Sequence, residues 1–311
     1  MHLTNSLTTL ALAANIAMAQ DTLPLRIITW NIRWATPVRE INEKPWSTRA
    51  PLVVSTLSKA IADTPNAVVI GMQEVIATQL DDIKAGLNQQ AQAQAQGEEW
   101  SHIGVGRDDG QAKGEFSPIL YRPSALRLLH NETKWLSPTP DAPSFGWGAG
   151  SRRVVTVGVF EHAATGRRFV AANTHLDNLS ARARREGVQV ALGRVQAVQQ
   201  EYTREGEGPL PVSLTGDFNS EPGQDAYTTV TGSGYLGELY ELAEEARRVG
   251  PYETYTGFSS WKKGSRIDFA WLGPLSDMKW TVSRYEVVDN VVDGVYASDH
   301  RMVLGDVEVA A

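Results

Sequence analysis

The chain contains no cysteine, which excludes a disulfide framework, a thiolate nucleophile and every zinc or iron–sulfur site built on cysteine. No apolar run reaches the roughly 20 residues that a membrane span needs. Basic charge is also short: 29 Lys plus Arg face 36 Asp plus Glu, a formal net charge of −7. Sequence-independent capture of a polyanion is therefore not built into the chain, and a nucleic-acid partner would need bound cations as mediators. Core material, by contrast, is plentiful. Hydrophobic residues make up 42% of the 311 positions and charged residues 21%, which rules out general disorder.

The first 20 residues hold no Lys, Arg, Asp or Glu, carry a short apolar segment from Leu7 to Ala14, and contain the small-x-small triplet Ala17-Met18-Ala19. Residues 1–19 read as a secretory signal peptide, so the mature protein is expected to be secreted. Only His2 serves as an n-region charge and Asn15 interrupts the apolar run, so a frayed N-terminal helix of a cytosolic protein is the other reading. Oxidising compartments permit disulfides without requiring them, so the missing cysteine does not oppose export. Residues 20–311 show no internal repeat and no Pro/Gly/Ser linker of domain-joining length, and one large domain is expected. The Gln/Ala-rich stretch Asn88–Gly97 reads as a helix tail running into a surface loop.

Strand and helix signals alternate along this domain. Leu25–Ile32, Ala67–Met72, Pro118–Tyr121, Val154–Phe160, Phe169–Asn173, Val212–Thr215 and Ile267–Leu272 are short β-branched or aromatic runs closed by polar or turn residues, and are expected as strands, several buried on both faces. Residues 48–61, with Val53, Val54, Leu57 and Ile61, predict a helix, as does the stripe Val188, Ala191, Leu192, Val195, Val198 and Tyr202. The balance points to two sheets packed face to face with helices outside.

Polar, metal-competent residues occur where the apolar strands end: Asn31, Glu74, His175 with Asp177, Asp217 with Asn219, and Ser298-Asp299-His300. Each alone has an ordinary structural explanation. Asn31 suits a turn, Gly216-Asp217-Phe218-Asn219 is rich in turn formers, Ser298 suits a helix cap, and His175 a satisfied core histidine. Glu74 differs in one respect, because a carboxylate beside a buried run calls for a cation or an arginine. If the segment stays extended, Asp217 and Asn219 point to the same side. A folded sheet gathers adjacent strand ends at one rim, so five distant segments could share one pocket. Hard oxygen donors without cysteine suit Mg²⁺, Mn²⁺ or Ca²⁺, and two histidines add proton transfer near neutral pH. Carboxylates, an amide, a dication and two imidazoles make a kit for attacking a phosphate ester with water, and the cation draws the phosphate into a net acidic protein.

The segments Thr29-Trp-Asn31-Ile-Arg33, Gly71-Met-Gln-Glu74-Val75, Asn173-Thr-His175-Leu-Asp177, Leu214-Thr-Gly-Asp217-Phe-Asn219-Ser220, Arg266-Ile-Asp268-Phe269 and Ser298-Asp299-His300 resemble the endonuclease/exonuclease/phosphatase superfamily, which has the DNase I-like fold. The resemblance implies a four-layered α/β sandwich with a divalent metal, usually Mg²⁺, in the cleft above it. It implies Glu74 as principal metal ligand, Asn31 beside it and Asp299 as a further acidic contributor. By the same resemblance Asp217 and Asn219 position and activate the attacking water, and His300, its ring held by Asp268, contacts the phosphate or accepts a proton. His175 would stabilise the pentacoordinate phosphorus or assist the leaving oxygen, with Glu115 orienting it, and attack by water would be direct.

The subgroup resembled best contains secreted members distantly similar to CCR4-type exonucleases. Signatures of inositol-polyphosphate 5-phosphatases and of apurinic-site endonucleases are missing. Where relatives often read Trp-Asp-x-x-x-x-Arg, this chain has Trp147-Gly-Ala-Gly-Ser-Arg152-Arg153. Arg152 and Arg153 are candidates for gripping a phosphate, or start a solvated strand. Phe145, Trp147, Phe258 and Trp261 could stack a base or sugar, or anchor loops, and Lys262-Lys263 is too small a basic cluster for a nucleic-acid groove. The leading expectation is a secreted metal-dependent phosphodiesterase acting on nucleic acid or nucleotides. The alternatives are a phosphomonoesterase or phospholipase acting on sugar, inositol or lipid phosphates, and a catalytically inactive binding module. No protein partner is implied.

Overall fold

The computed structural model describes residues 22–93 and 100–310. The expected signal peptide lies outside these residues, as does the Gln/Ala-rich stretch beyond Ala93. In chain order the first half runs β1 (Leu23–Asn31), α1 (Trp46–Ala62), β2 (Ala67–Gln73), α2 (Ala77–Ala93), β3 (Ser101–Ile103), β4 (Ile119–Tyr121), β5 (Leu126–Trp135), β6 (Val154–His162) and β7 (Arg168–His175). It continues with α3 (Ala181–Tyr202), β8 (Val212–Asp217), α4 (Asp225–Gly232), β9 (Gly237–Glu238), α5 (Leu239–Leu242) and β10 (Arg248–Val249). The last part holds β11 (Asp268–Gly273), β12 (Trp280–Val288), β13 (Val291–Val292), β14 (Val295–Tyr296) and β15 (Met302–Val309).

Seven strands form one sheet in the order β10-β12-β15-β1-β2-β4-β3, six form a second in the order β5-β6-β7-β8-β11-β9, and β13 and β14 pair as a hairpin. Both large sheets are mixed: β1 runs parallel to β2 and antiparallel to β15, and β7 runs parallel to β8 while β8 and β11 are antiparallel. Period-two alternation divides each central strand between two apolar layers. Leu25 and Ile27 of β1, Val69 of β2, and Phe169 and Ala171 of β7 meet in the layer between the sheets. The alternate residues Ile28, Trp30, Val68 and Ile70 face Val53, Leu57, Ile83 and Leu87 of α1 and α2. On the other side Val170, Ala172 and Leu214 face Val188, Ala191, Val195 and Val198 of α3. Helix, sheet, sheet, helix: the chain is a four-layered α/β sandwich, as the resemblance implied.

All seven expected strands are present, and the expected helices lie within α1 and α3. Three long strands were not legible in advance. β5 is half-exposed along most of its length and bulged between Leu128 and His130, and β12 has a similar irregularity between Val282 and Arg284. Those features break the alternation on which strand reading depends. β15 contains Gly305 and ends in alternating charge, yet it sits beside β1 near the middle of its sheet.

Candidate active site at the rim of the sandwich

The stripe of side chains facing the inter-sheet layer changes character along each central strand. In β1 it runs Leu25, Ile27, Thr29, Asn31; in β2, Val69, Gly71, Gln73; in β7, Phe169, Ala171, Asn173, His175; in β8, Ser213, Thr215, Asp217. Apolar at one end, it becomes polar at the other, and register carries that end of every strand to the same rim: Asn31 pairs with Gln73, His175 with Asp217, and Asp217 with Asp268. A polar seam bonds the sheets together beneath the rim. Gln73 Nε2 donates to Thr29 Oγ1 (3.0 Å) and Asn173 Oδ1 (2.7 Å), Thr215 Oγ1 bonds the same oxygen (3.1 Å), and Asn173 Nδ2 donates to the carbonyls of Met72 (2.7 Å) and Pro118 (2.9 Å). Gly71 is required there, because a Cβ would lie 2.3 Å from Thr215 Oγ1 and 2.7 Å from Asn173 Oδ1.

Above the seam opens a cleft of about 670 Å³, lined by Glu74, His175, Asp217, Asn219, Asp299 and His300, with Arg33, Arg107 and Arg153 among its walls. Asn31, fully buried, is the clamp at its floor. Its Nδ2 donates to Glu74 Oε1 (3.0 Å) and to Asp217 Oδ2 (3.0 Å), while its Oδ1 accepts from the Arg33 N–H (2.9 Å). The amide orientation is thereby set by its partners. Ligation of a metal by Asn31 would have to use the oxygen's second lone pair. Glu74 Oε2 accepts from the Trp34 N–H (3.2 Å). Arg33, Glu74 and Asn219 all have left-handed backbones, at φ 57°, 58° and 47°. Non-glycine residues hold that conformation at a cost on the order of 1–3 kcal/mol each, and it clusters at functional sites.

Asp217 and Asn219 meet differently from the extended arrangement expected. The segment turns, Asn219 N–H donating to Asp217 Oδ1 (2.9 Å), and Asn219 Nδ2 reaches His175 Nε2 (3.1 Å) and the Leu176 carbonyl (3.1 Å). The turn reading and the site reading are therefore both correct. Because His175 Nε2 accepts that bond, the neutral ring carries its proton on Nδ1. Burial, assisted by the charges of Arg153 and Arg107, holds His175 well below the usual histidine range. Glu115 Oε2 lies 3.8 Å from Nδ1, too far for a hydrogen bond. Both Glu115 oxygens instead accept from Arg107 (2.7 and 2.8 Å).

The second histidine is the electrostatic opposite. His300 Nδ1 is 2.8 Å from Asp268 Oδ2, and its Nε2 is 3.7 Å from Asp217 Oδ2. Burial alone would lower its pKa, but the carboxylates of Asp268 and Asp217 outweigh it and push His300 up to about 10. Burial raises Asp217 to about 7, with Asp268 adding to the effect. Asp299 is raised to about 6, again chiefly by burial, with Glu74 contributing repulsion.

A hard dication fits this donor set. Glu74 and Asp299 are neighbouring carboxylates at the cleft wall, Asp299 is buried, and the nearest cation to Glu74 is Arg33 at 4.0 Å. Arg33 is itself committed to Glu43 and Glu40. Asp217, Asp268 and His300 also bring three donor atoms within 4.8 Å of one another, but His300 Nδ1 is already engaged with Asp268, so that group is better suited to holding a proton.

Residues 28–300 match the model of the endonuclease/exonuclease/phosphatase family. The chain belongs to that family. A Bacteroides vulgatus endonuclease/exonuclease/phosphatase shares 31% identity, with 92% of this chain and 99% of that one covered at a TM-score of 0.78. The Bacteroides thetaiotaomicron mannosyl-6-phosphatase shares 30% identity, with 91% and 99% covered at 0.76. The human Nocturnin catalytic domain, 19% identical with 92% and 93% covered at 0.65, shares the fold. No curated protein sequence matches the chain. Members of the endonuclease/exonuclease/phosphatase family hydrolyse phosphate esters, and the described residues of this one include no helix long and apolar enough to cross a membrane.

Asn31, Glu74, Glu115, Arg153, His175, Asp217, Asn219, Asp268, Asp299 and His300 are thus brought together at one rim, nearly all by strand ends. Arg152 is not among the residues lining the cleft. It pairs with Asp108 (3.2 Å) and lies over the Phe145 ring, 4.6 Å from its centroid. The anticipated aromatic wall is also absent from the lining. Phe258 is fully buried, Trp261 is 93% exposed, and the cleft's aromatic residues are Trp34 and Tyr255. Sequence reasoning missed Arg107, Asn178 and Tyr255. Tyr255, whose ring centroid lies 4.9 Å from that of His300, stands three residues before Phe258, one of the aromatic residues singled out in the sequence, and could have been found there. Arg107 lies in a glycine-rich loop that reads as a turn.

Proposed function

We propose that the protein is a divalent-metal-dependent phosphomonoesterase acting on a small, hydroxyl-rich molecule such as a sugar phosphate. The lining of the cleft carries this reading. Glu40, Glu74, Glu115, Asp217, Glu221 and Asp299 face three arginines and no lysine. A nucleic-acid groove needs a basic track and stacking platforms, whereas carboxylates and amides such as Asn178 and Gln224 accept hydrogen bonds from sugar hydroxyls. The volume also suits a small molecule. The similarity to a mannosyl-6-phosphatase supports the same class. This choice inverts the order expected from sequence, where phosphodiesters came first.

Glu74 and Asp299 would hold the metal, Mg²⁺ being the best match to such donors. When bound, it would polarise the phosphoryl group and offset the charge of the approaching substrate. Asp217, held near pH 7 and oriented by Asn31 and the Asn219 N–H, is placed to take a proton from the attacking water. His300, charged and fixed by Asp268, donates from Nε2 toward developing negative charge. His175 carries a proton on Nδ1 within the same cleft and is suited to the leaving oxygen. Export through residues 1–19 belongs to the same proposal, checked by N-terminal sequencing of the protein recovered from the medium.

The deciding measurement is hydrolysis of a hexose 6-phosphate, p-nitrophenyl phosphate, bis-p-nitrophenyl phosphate and single-stranded DNA, each with Mg²⁺. Turnover should be highest on the monoesters. Preferential cleavage of the diester or of DNA would return the assignment to a phosphodiesterase.

A further inference from the structure

We infer that Arg153 is a substrate-binding residue that selects phosphomonoesters over phosphodiesters by pairing with the second negative charge of the monoester phosphate. This rests on the phosphoesterase reading above and adds the residue that sets the ester class.

The three arginines lining the cleft differ in how their donors are used. Arg33 is shared between Glu43 and Glu40. Arg107 gives both terminal nitrogens to Glu115. Arg153 gives only Nη2, to Asn178 Oδ1 at 3.0 Å. Its Nε lies 3.6 Å from Asp177 Oδ2, beyond hydrogen-bond reach, and neither Nε nor Nη1 has a hydrogen-bond partner. Yet the side chain is only 7% exposed. A buried guanidinium with two unspent donors is unfavourable in a folded protein unless an anion arrives to accept them.

The surroundings hold that geometry in place. Asp177 balances the Arg153 charge across 3.6 Å, but its oxygens accept from three backbone N–H groups, those of Gly150, Leu179 and Ser180, and none of them accepts a hydrogen bond from the guanidinium. Asn178 fixes the far edge of the guanidinium. Arg153 immediately precedes β6 and its carbonyl accepts from the Leu136 N–H, so its backbone is anchored beside the strand while its side chain reaches the same cleft as His175 and Glu74. Nε and Nη1 lie on opposite edges of the planar guanidinium, and Nη2 keeps a second hydrogen beyond the one given to Asn178; paired with Nε or with Nη1 it presents a two-pronged edge that matches two oxygens of a phosphate. A monoester dianion has three non-bridging oxygens and can engage metal and arginine together. In a diester the corresponding oxygen carries a second carbon substituent, and both the charge and an acceptor are lost.

The test compares wild type with Arg153→Gln and Arg153→Lys on p-nitrophenyl phosphate and bis-p-nitrophenyl phosphate, with inhibition by inorganic phosphate measured alongside. The expected result is a rise of roughly tenfold or more in KM for the monoester with the Gln variant. KM for the diester should change less than about threefold, and inhibition by inorganic phosphate should weaken in parallel with the monoester. Lys, retaining charge without the fork, should restore part of the monoester KM. Equal losses on both esters, or unchanged phosphate inhibition, would overturn the inference. If the Gln variant fails to fold, the Lys variant carries the same comparison, and wild-type phosphate inhibition with no selective loss in Lys counts against the inference. A wild type inactive on every ester that still binds inorganic phosphate in an Arg153-dependent way would refute the phosphomonoesterase reading while leaving Arg153 as the anion site.

Discussion

At the scale of single residues, the two histidines show how one fold obtains opposite protonation states from one ring type. Burial, with the charges of Arg153 and Arg107 adding to it, holds His175 neutral, whereas at His300 the carboxylates of Asp268 and Asp217 outweigh burial and keep the ring charged. His300→Ala should lower turnover by about 10²- to 10⁴-fold, the usual contribution of a positioned proton-transfer group; near-normal activity would remove His300 from the chemistry. Asp268→Asn leaves the ring in place but deletes the charge that does most to raise it. The His300 pKa then falls, and the alkaline limb of the pH–rate profile should move toward neutrality, which a profile of kcat against pH resolves. An unmoved limb would mean that His300 does not govern it.

At the scale of elements, the site depends on where the inner stripe of each strand turns from apolar to polar. Asn173 is fully buried and its side chain joins β7 to β2 and to the loop before β4. Asn173→Leu removes the partners of Gln73, Met72 and Pro118 together and should cost at least about 2 kcal/mol by denaturant unfolding. Gly71→Ala should cost about 1–3 kcal/mol, because the added methyl collides with that seam and cannot relax without parting the sheets. Both substitutions should also lower activity, since β2 delivers Glu74. Full stability in either variant would show that the seam is not what ties the sheets together. The residues of this seam were visible in the sequence only within the motif segments around Gly71 and Asn173. Their pairing across two sheets joins positions about 100 apart, and no local pattern encodes it.

At the scale of the whole molecule, three apolar layers carry the fold and the acidic rim is superimposed on them. Chelation should therefore abolish activity while leaving the far-ultraviolet circular dichroism of the sandwich intact; unfolding on chelation would make the ion structural. The pH dependence has a definite sign. Burial places Asp217 and Asp299 above the ordinary carboxylate value, at about 7 and about 6, so the metal-free fold favours their protonated forms. That contribution is complete below about pH 4 and is lost as pH rises through 6 and 7. A dication requires the ionised forms, so the gain in Tm on adding Mg²⁺ should be larger at about pH 8 than at about pH 5. An equal or smaller gain at the higher pH would place the metal away from these carboxylates.

The amino-acid sequence by itself determined the family, the alternation of buried strands with covering helices, and the identity of the polar residues that end those strands, because each is written in contiguous or nearly contiguous residues. Tertiary structure decided which of those residues share a cleft. Arg153 and Arg152 are adjacent in the chain, yet one lines the cleft and the other pairs with Asp108 outside its lining. Whether the donors of a buried arginine are spent or unpartnered, as the three cleft arginines show, depends on which acceptors folding sets against the guanidinium, and adjacency in the chain does not settle that.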